Sequence, residues 1–284
     1  MKVSDTINVL NFELARIRSE KKSIGFVPTM GALHAGHLSL VEIAASQNDV
    51  VVVSIFVNPT QFNNPDDLRN YPRDLKSDLK LLENTRCNFV FAPDEKEIYP
   101  DETSRNSTFD FGQLSRVMEG KFRPGHFDGV GIVVKRLFEI VRPDKAYFGQ
   151  KDIQQFLIIN HLNSNYLKYL NIVLVKCPII RESDGLAMSS RNILLDNLKR
   201  KSACLISKAL FEAREIYTKY TPETLKNYVI DKINSDPNLK VEYFELVNDP
   251  DLSEIENWNN GQKILGCIAV QVGKVRLIDN IYFN

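Results

Sequence analysis

The sequence predicts an α/β protein: a parallel-sheet domain over residues 1–176, followed by a smaller α+β domain over 177–284. Three observations carry this. Strand-like apolar runs alternate with helical stretches throughout 1–176, the order expected of βαβ units. One run, Val50–Val57, is almost continuously apolar and rich in β-branched residues, which suits a parallel strand buried on both faces. After Cys177-Pro178 the alternation stops, and two helices precede strands that turn back at Gly273-Lys274.

The elements follow in order. Ser4, Asp5 or Thr6 caps a first helix whose apolar positions Ile7, Leu10, Leu14 and Ile17 share one face. A strand over 24–29 leads into a glycine-containing loop and a helix over 38–46. The strand from Val50 ends at Asn58-Pro59, a breaker. A helix over 74–83 and a short strand over 89–92 come next. Val130, Val133, Val134, Leu137 and Val141 form a helical stripe that ends at Arg142-Pro143. Strands over 145–148 and 172–175 flank another helix. In the second domain, helices span 196–218 and 222–234, the latter with Thr221 as cap and Pro222 at its first position. Strands over 241–247, 264–272 and 275–278 complete it.

Bulk properties exclude several function classes. The 284 residues are 43% hydrophobic and 25% charged, an ordinary globular balance. Lys+Arg 36 equals Asp+Glu 36, so no global field favours a nucleic acid. Cys87, Cys177, Cys204 and Cys267 are widely spaced, as reduced thiols would be. The N-terminus is too polar for a signal peptide, and no run approaches a membrane span. A cytoplasmic, soluble protein with no membrane partner is expected.

Gly31-Ala-Leu-His-Ala-Gly-His37 is the most informative segment. A glycine turn between strand and helix leaves backbone N–H groups and a helix N-terminus facing an anion. Two histidines three apart, His34 and His37, face the same pocket. The segment is not a Walker A loop, because His37 and Leu38 replace the lysine and the hydroxyl. It also lacks the dinucleotide Gly-x-Gly-x-x-Gly pattern and a zinc-protease His-Glu-x-x-His. Polar residues at a loop end are the plain alternative. Asn58–Gln61 and Gly149–Asp152 also follow strands, so they converge with this loop at the strand C-terminal ends. Near the domain junction, Met188-Ser189-Ser190-Arg191 puts two hydroxyls and a guanidinium on a mobile, glycine-containing loop suited to phosphate oxygens.

The His-x-Gly-His loop paired with this second loop resembles the two signatures of the adenylyl-transferring nucleotidyltransferases, with arginine in the cationic role. Six motifs narrow the resemblance: Pro28–His37, Ser54–Phe62, Tyr71-Pro-Arg73, Arg123-Pro-Gly-His-Phe127, Phe148–Asp152 with Gln154-Gln155, and Asp184–Asn192. In this order, with the ending Arg276-Leu-Ile-Asp-Asn280, they resemble the pantothenate synthetase (pantoate–β-alanine ligase) family over nearly the whole chain. The resemblance implies a Rossmann-like N-terminal domain, a hinged C-terminal lid and a cytoplasmic homodimer. It implies that ATP activates pantoate as pantoyl adenylate, which β-alanine converts to pantothenate with release of AMP.

It also implies roles. His37, His34, Lys151 and Arg191 act on the phosphates, His37 at the position of the proton donor. Met30, Gly31, Ala32, Leu33, Ala35 and Gly36 cradle the nucleotide with the histidines. Gly149, Gln150 and Asp152 flank Lys151, with Asp152 toward the ribose. Ile180 matches an adenine contact, and Met188, Ser189 and Ser190 close over the phosphates with Arg191. Gln61 and Gln155 hold pantoate, Phe56 forms an apolar wall, and Asp78 matches a Mg2+ ligand.

Some points stay open on the sequence. Asp78 lies among Arg73, Asp74, Lys76 and Lys80, so a solvated helix face is the competing reading. Gln150 stands where many members carry Glu, and Asn63-Asn64-Pro65 varies the loop after Gln61. His126 has a motif position but no chemical role, and His161 reads as structural. Two other functions compete: a different His-x-Gly-His adenylyltransferase that stops at AMP transfer, and a nucleotide-binding regulatory module. The glutamine pair argues against the first. The presence of His37, Lys151 and Arg191 argues against the second.

Overall fold

Six parallel strands form the larger of two sheets in the computed structural model of the chain, which describes residues 1–258 and 261–283. Asn259, Asn260 and Asn284, which fall in the expected C-terminal domain, lie outside the described residues. The strands are β1 (Lys2–Ser4), β2 (Ile24–Thr29), β3 (Val50–Ile55), β4 (Phe89–Phe91), β5 (Lys145–Gly149) and β6 (Val173–Cys177). Their order is β1-β4-β3-β2-β5-β6, and every pairing is parallel. A second sheet joins β7 (Leu239–Asp249), β8 (Lys263–Val272) and β9 (Val275–Tyr282) in antiparallel register.

The first eight helices are α1 (Ile7–Ser19), α2 (Ala35–Gln47), α3 (Pro65–Asn70), α4 (Leu75–Glu83), α5 (Glu95–Ile98), α6 (Met118–Phe122), α7 (His126–Val141) and α8 (Ile153–Tyr166). Alternation along the strands sorts them onto two faces. Phe26, Val52 and Phe91 point toward Leu14 of α1, Phe138 of α7 and Ile158 of α8. Val27, Val51, Val53 and Val90 point toward Val41 and Ala44 of α2 and Leu82 of α4. Each central strand is therefore buried on both sides, which is why β3 reads as an unbroken apolar run.

The chain divides into two units: Met1–Gln150 with Gln154–Pro178, and Lys151–Ile153 with Ile179–Asn284. The second unit packs α9 (Asn197–Ile216) and α10 (Pro222–Asn234) against the antiparallel sheet. Its core includes Ile206, Leu210, Val229, Phe244, Ile268 and Leu277.

Several elements differ from the sequence reading. β1, α3, α5 and α6 are added, each six residues or fewer. α2 starts at Ala35 rather than 38, so His37 lies in its first turn. α7 starts at His126, ahead of the valine stripe, with Gly125 at φ 79 before it. No helix among the described residues is long and apolar enough to cross a membrane.

Candidate active site

β2 ends at Thr29, and the chain turns through two consecutive left-handed residues, Gly31 (φ 76) and Ala32 (φ 48). Glycine is required at the first. A Cβ there would lie 2.9 Å from Asp78 Oδ2 and 3.1 Å from Ile55 Cγ2. The turn is held by Asp78, whose carboxylate accepts from the N–H groups of Ala32 (2.9 Å) and Leu33 (2.7 Å). Asp78 is only 3% exposed, so its solvated-face reading is overturned. Burial pushes its carboxyl above the ordinary value, and the Leu33 and Ala32 hydrogen bonds oppose the shift.

The two histidines cap α2. His34 is the N-cap, and its Nδ1 accepts from the Gly36 N–H at 3.1 Å. His37 Nδ1 accepts from the His34 N–H at 3.3 Å. A ring nitrogen that accepts a backbone N–H carries no hydrogen, so in each neutral ring the hydrogen sits on Nε2. The rings lie 4.1 Å apart, tilted by 35°. Both imidazoles therefore carry an Nε2–H donor beside the N-terminus of a thirteen-residue helix.

The loop after β3 is a polar knot. Asn58 Nδ2 donates to Gln61 Oε1 (3.2 Å) and to the Gly129 carbonyl (3.1 Å). Its Oδ1 accepts from Tyr99 Oη and Thr60 Oγ1. Gln61 is buried, and its Nε2 lies 2.8 Å from Met30 Sδ, tying this loop to the end of β2. A Cβ on Gly129 would sit 2.3 Å from the Thr60 carbonyl oxygen, so α7 rests directly on the loop backbone. Phe56 is buried edge-on against Tyr99 and also lines a cavity of about 390 Å³ with Met30, Gly31, Arg73 and Asp78. Gln155 is half-buried on α8, and its amide has no hydrogen-bond partner among the described residues.

β5 runs beside β2, so Gly149 and Gln150 leave the sheet at the same edge as the histidine turn. In the second unit, Lys151 Nζ lies 3.6 Å from Asp152 Oδ2, and the Lys151 carbonyl accepts from Asn280 Nδ2 at 2.9 Å. The neighbouring Asp279 is buried and receives both nitrogens of the Arg181 fork, at 2.7 and 2.9 Å. Burial pushes the Asp279 carboxyl up, with Arg181 working against the shift.

Ile180 is half-buried, and its carbonyl accepts from the Met188 N–H. Gly185 (φ 93) turns a narrow hairpin bridged at Arg181 and Ala187. Arg200 spans Glu182 Oε2 (2.7 Å) and Asp184 Oδ2 (2.8 Å), while Asn192 Nδ2 donates to Glu182 Oε1 at 2.7 Å. Ser189 caps the short 3-10 turn Ser190–Leu194, its Oγ accepting from the Arg191 N–H. Gly185 thus closes a turn cross-linked by Arg200.

Both Asp78 oxygens are engaged by backbone N–H groups, and no cluster of three or more His, Cys, Asp or Glu able to hold a metal occurs among the described residues. None of the four cysteines forms a disulfide and all are buried, and burial pushes Cys87 up to about 12 and Cys177 to about 11.

Sequence reasoning leaves Asn58, His126, Arg200, Asp279 and Asn280 without roles. The last two sit in the Arg276–Asn280 ending, and His126 sits in Arg123–Phe127; motif position is the only signal they offer.

A parallel sheet with paired imidazole donors on a helix N-terminus after β2 defines a nucleotide-binding α/β enzyme. The family profile described as pantoate-beta-alanine ligase matches residues 2–282, and the chain belongs to that family. It is an ATP-dependent ligase. Pantothenate synthetase from Bacteroides fragilis is 49% identical, covering 100% of this chain and 99% of the relative. Its Porphyromonas gingivalis counterpart is 47% identical over the full length of both. The crystal structure of pantothenate synthetase from Thermus thermophilus superimposes with a TM-score of 0.92 at 37% identity, covering 100% and 99% of the two chains. The Francisella tularensis pantoate-beta-alanine ligase, complexed with beta-gamma ATP and beta-alanine, gives 0.82 at 37% identity, covering 100% and 98%.

Proposed function

We propose that the chain joins pantoate to β-alanine in two steps. A pantoate carboxylate oxygen attacks the α-phosphorus of ATP, the bond to the bridging oxygen breaks, and pyrophosphate leaves. The β-alanine nitrogen then attacks the pantoyl carbonyl, loses a proton, and AMP departs with its phosphate oxygen. ATP enters as its magnesium complex, so the metal belongs to the substrate and no resident site is invoked.

The observation that carries this reading is the orientation of His34 and His37. Backbone N–H groups donate to both Nδ1 atoms, which puts the hydrogen of each neutral ring on Nε2, the atom assigned to donate to phosphate oxygens. In-line attack at phosphorus needs positioning and charge stabilisation more than proton transfer. Lys151 and Arg191 are assigned cationic roles, Ser189 and Ser190 hydroxyl donors, Asp152 the ribose and Ile180 the adenine. Gln61 and Gln155 are assigned to pantoate, since each amide both donates and accepts. Phe56 supplies apolar surface. The enzyme is taken to act as a cytoplasmic homodimer, which sedimentation would test.

The decisive experiment is exchange of labelled pyrophosphate into ATP with pantoate present and β-alanine absent. Exchange is expected, and it vanishes without pantoate. Positional isotope scrambling within ATP serves where pyrophosphate is held too tightly to exchange. Pantothenate formation with neither signal would overturn the two-step order.

A further inference from the structure

We infer that His126 is a positioning residue for the Gln61 amide, acting through the Gln61 backbone; the inference rests on the pantoate role proposed for Gln61. His126 opens α7 and is buried. Its Nδ1 lies 2.8 Å from the Gln61 carbonyl oxygen, and its Nε2 lies 3.3 Å from Arg123 Nη1. These two contacts select one ring state. A guanidinium has donors and no acceptor, so Nε2 must accept, and the ring hydrogen is on Nδ1. There it donates to the Gln61 carbonyl. This is the opposite tautomer to that of His34 and His37.

The guanidinium is itself tethered. Glu119 Oε2 lies 3.6 Å from Arg123 Nη1. The Glu119 N–H donates to Gln154 Oε1 at 3.0 Å, and Gln154 Nε2 donates to the carbonyls of Leu114 and Val117. Gln154 adjoins Gln155 on α8. One chain of polar contacts thus runs from beside the second glutamine, through Glu119, Arg123 and His126, to the backbone of the first. The Gln61 side chain gains its orientation from Asn58 and Met30, and its backbone position from His126. The Arg123-Pro-Gly-His126 segment thereby gains a role, which is to register the two glutamines against each other.

His126→Gln and His126→Asn separate this role from plain packing. Asn places an amide nitrogen near the Nδ1 position and keeps the donor to Gln61, whereas Gln reaches toward the Nε2 position and loses it. His126→Gln is expected to raise the pantoate KM about tenfold, with the ATP KM changed less than about threefold and His126→Asn closer to wild type on pantoate. In a Gln61→Ala background, His126→Gln should add almost nothing to the pantoate defect, because the amide it positions is gone. Thermal melts confirm that the variants compared are folded. Equal effects on ATP and pantoate, no selective advantage of Asn over Gln, or full additivity with Gln61→Ala would each overturn the inference. If wild-type enzyme shows no pantoate-dependent turnover, the proposed function fails and this inference with it. Normal wild-type turnover with an unaffected His126→Gln overturns the inference alone.

Discussion

The Asp78 carboxylate accepts a hydrogen bond from the Leu33 N–H at 2.7 Å, joining α4 to the histidine turn across 45 residues of sequence. Its other oxygen takes the Ala32 N–H, so one buried side chain holds a two-residue left-handed turn in place. That turn sets where α2 begins and where both imidazoles point.

Asp78→Ala should destabilise the protein by on the order of 2 kcal/mol or more, because two backbone donors lose their acceptor in a buried setting. Gly31→Ala should cost about 1–2 kcal/mol from its positive φ, plus the displacement of Asp78 by the new Cβ. Chemical denaturation measures both. An Asp78 variant of wild-type stability whose magnesium requirement has risen would assign the residue to the metal instead of the turn.

The Nδ1 of His37 accepts from the His34 N–H and its Nε2 is proposed to donate to phosphate, and conservative changes divide the two roles. His37→Ala should lower turnover on the order of 10²-fold or more, as should Lys151→Ala, each removing a donor assigned to developing phosphate charge. His37→Asn retains an acceptor near Nδ1 for the His34 N–H but loses the outward donor; His37→Gln does the reverse. Gln should therefore retain more turnover, and Asn more stability. Steady-state rates and melting curves read the two effects separately, and the opposite ranking in rate would remove the Nε2 donor from the mechanism.

What can be read from the sequence depends on the range of each interaction. β2 and β3 follow from local apolar runs, and the core face of α7 from its valine spacing. β1 is invisible there because three residues carry no periodicity, and its pairing with β4 is entirely non-local. The start of α7 is hidden because its apolar stripe is read only from Val130, four residues after the helix begins at His126. The loops bearing the candidate site are legible one by one. The bonds that set them are not: Asp78 to Leu33 and His126 to Gln61 join residues 45 and 65 positions apart, and nothing local in the sequence names either partner.

Acid should loosen the hairpin that leads to Arg191. Hydrogen bonding to Arg200 holds the Asp184 carboxyl at about 2, below its ordinary 3.8. Since the folded value is the lower one, the pair's contribution is fully present above the unfolded value and is lost as pH falls through about 2. Carbon-detected NMR of the Asp184 side chain should show that low midpoint, and Arg200→Met should restore it to the ordinary carboxylate range. Titration near 3.8 in the unaltered protein would mean that the pair does not persist in solution.

Gln61 and Gln155 differ in what they do before substrate arrives, so their variants should differ too. The Gln155 amide has no protein partner among the described residues, and truncating it to Ala should leave the melting temperature almost unchanged. Gln61 is bonded to Asn58 and Met30, and Gln61→Ala should cost on the order of 1 kcal/mol of stability. Both changes should weaken pantoate binding by roughly 1–3 kcal/mol, since each leaves polar groups of a buried ligand unpaired. ATP affinity should move far less. Calorimetric titration of each ligand against each variant gives the comparison directly. Equal losses for ATP and pantoate would indicate a general disturbance of the fold, and an unchanged pantoate affinity in Gln155→Ala would detach that residue from the substrate.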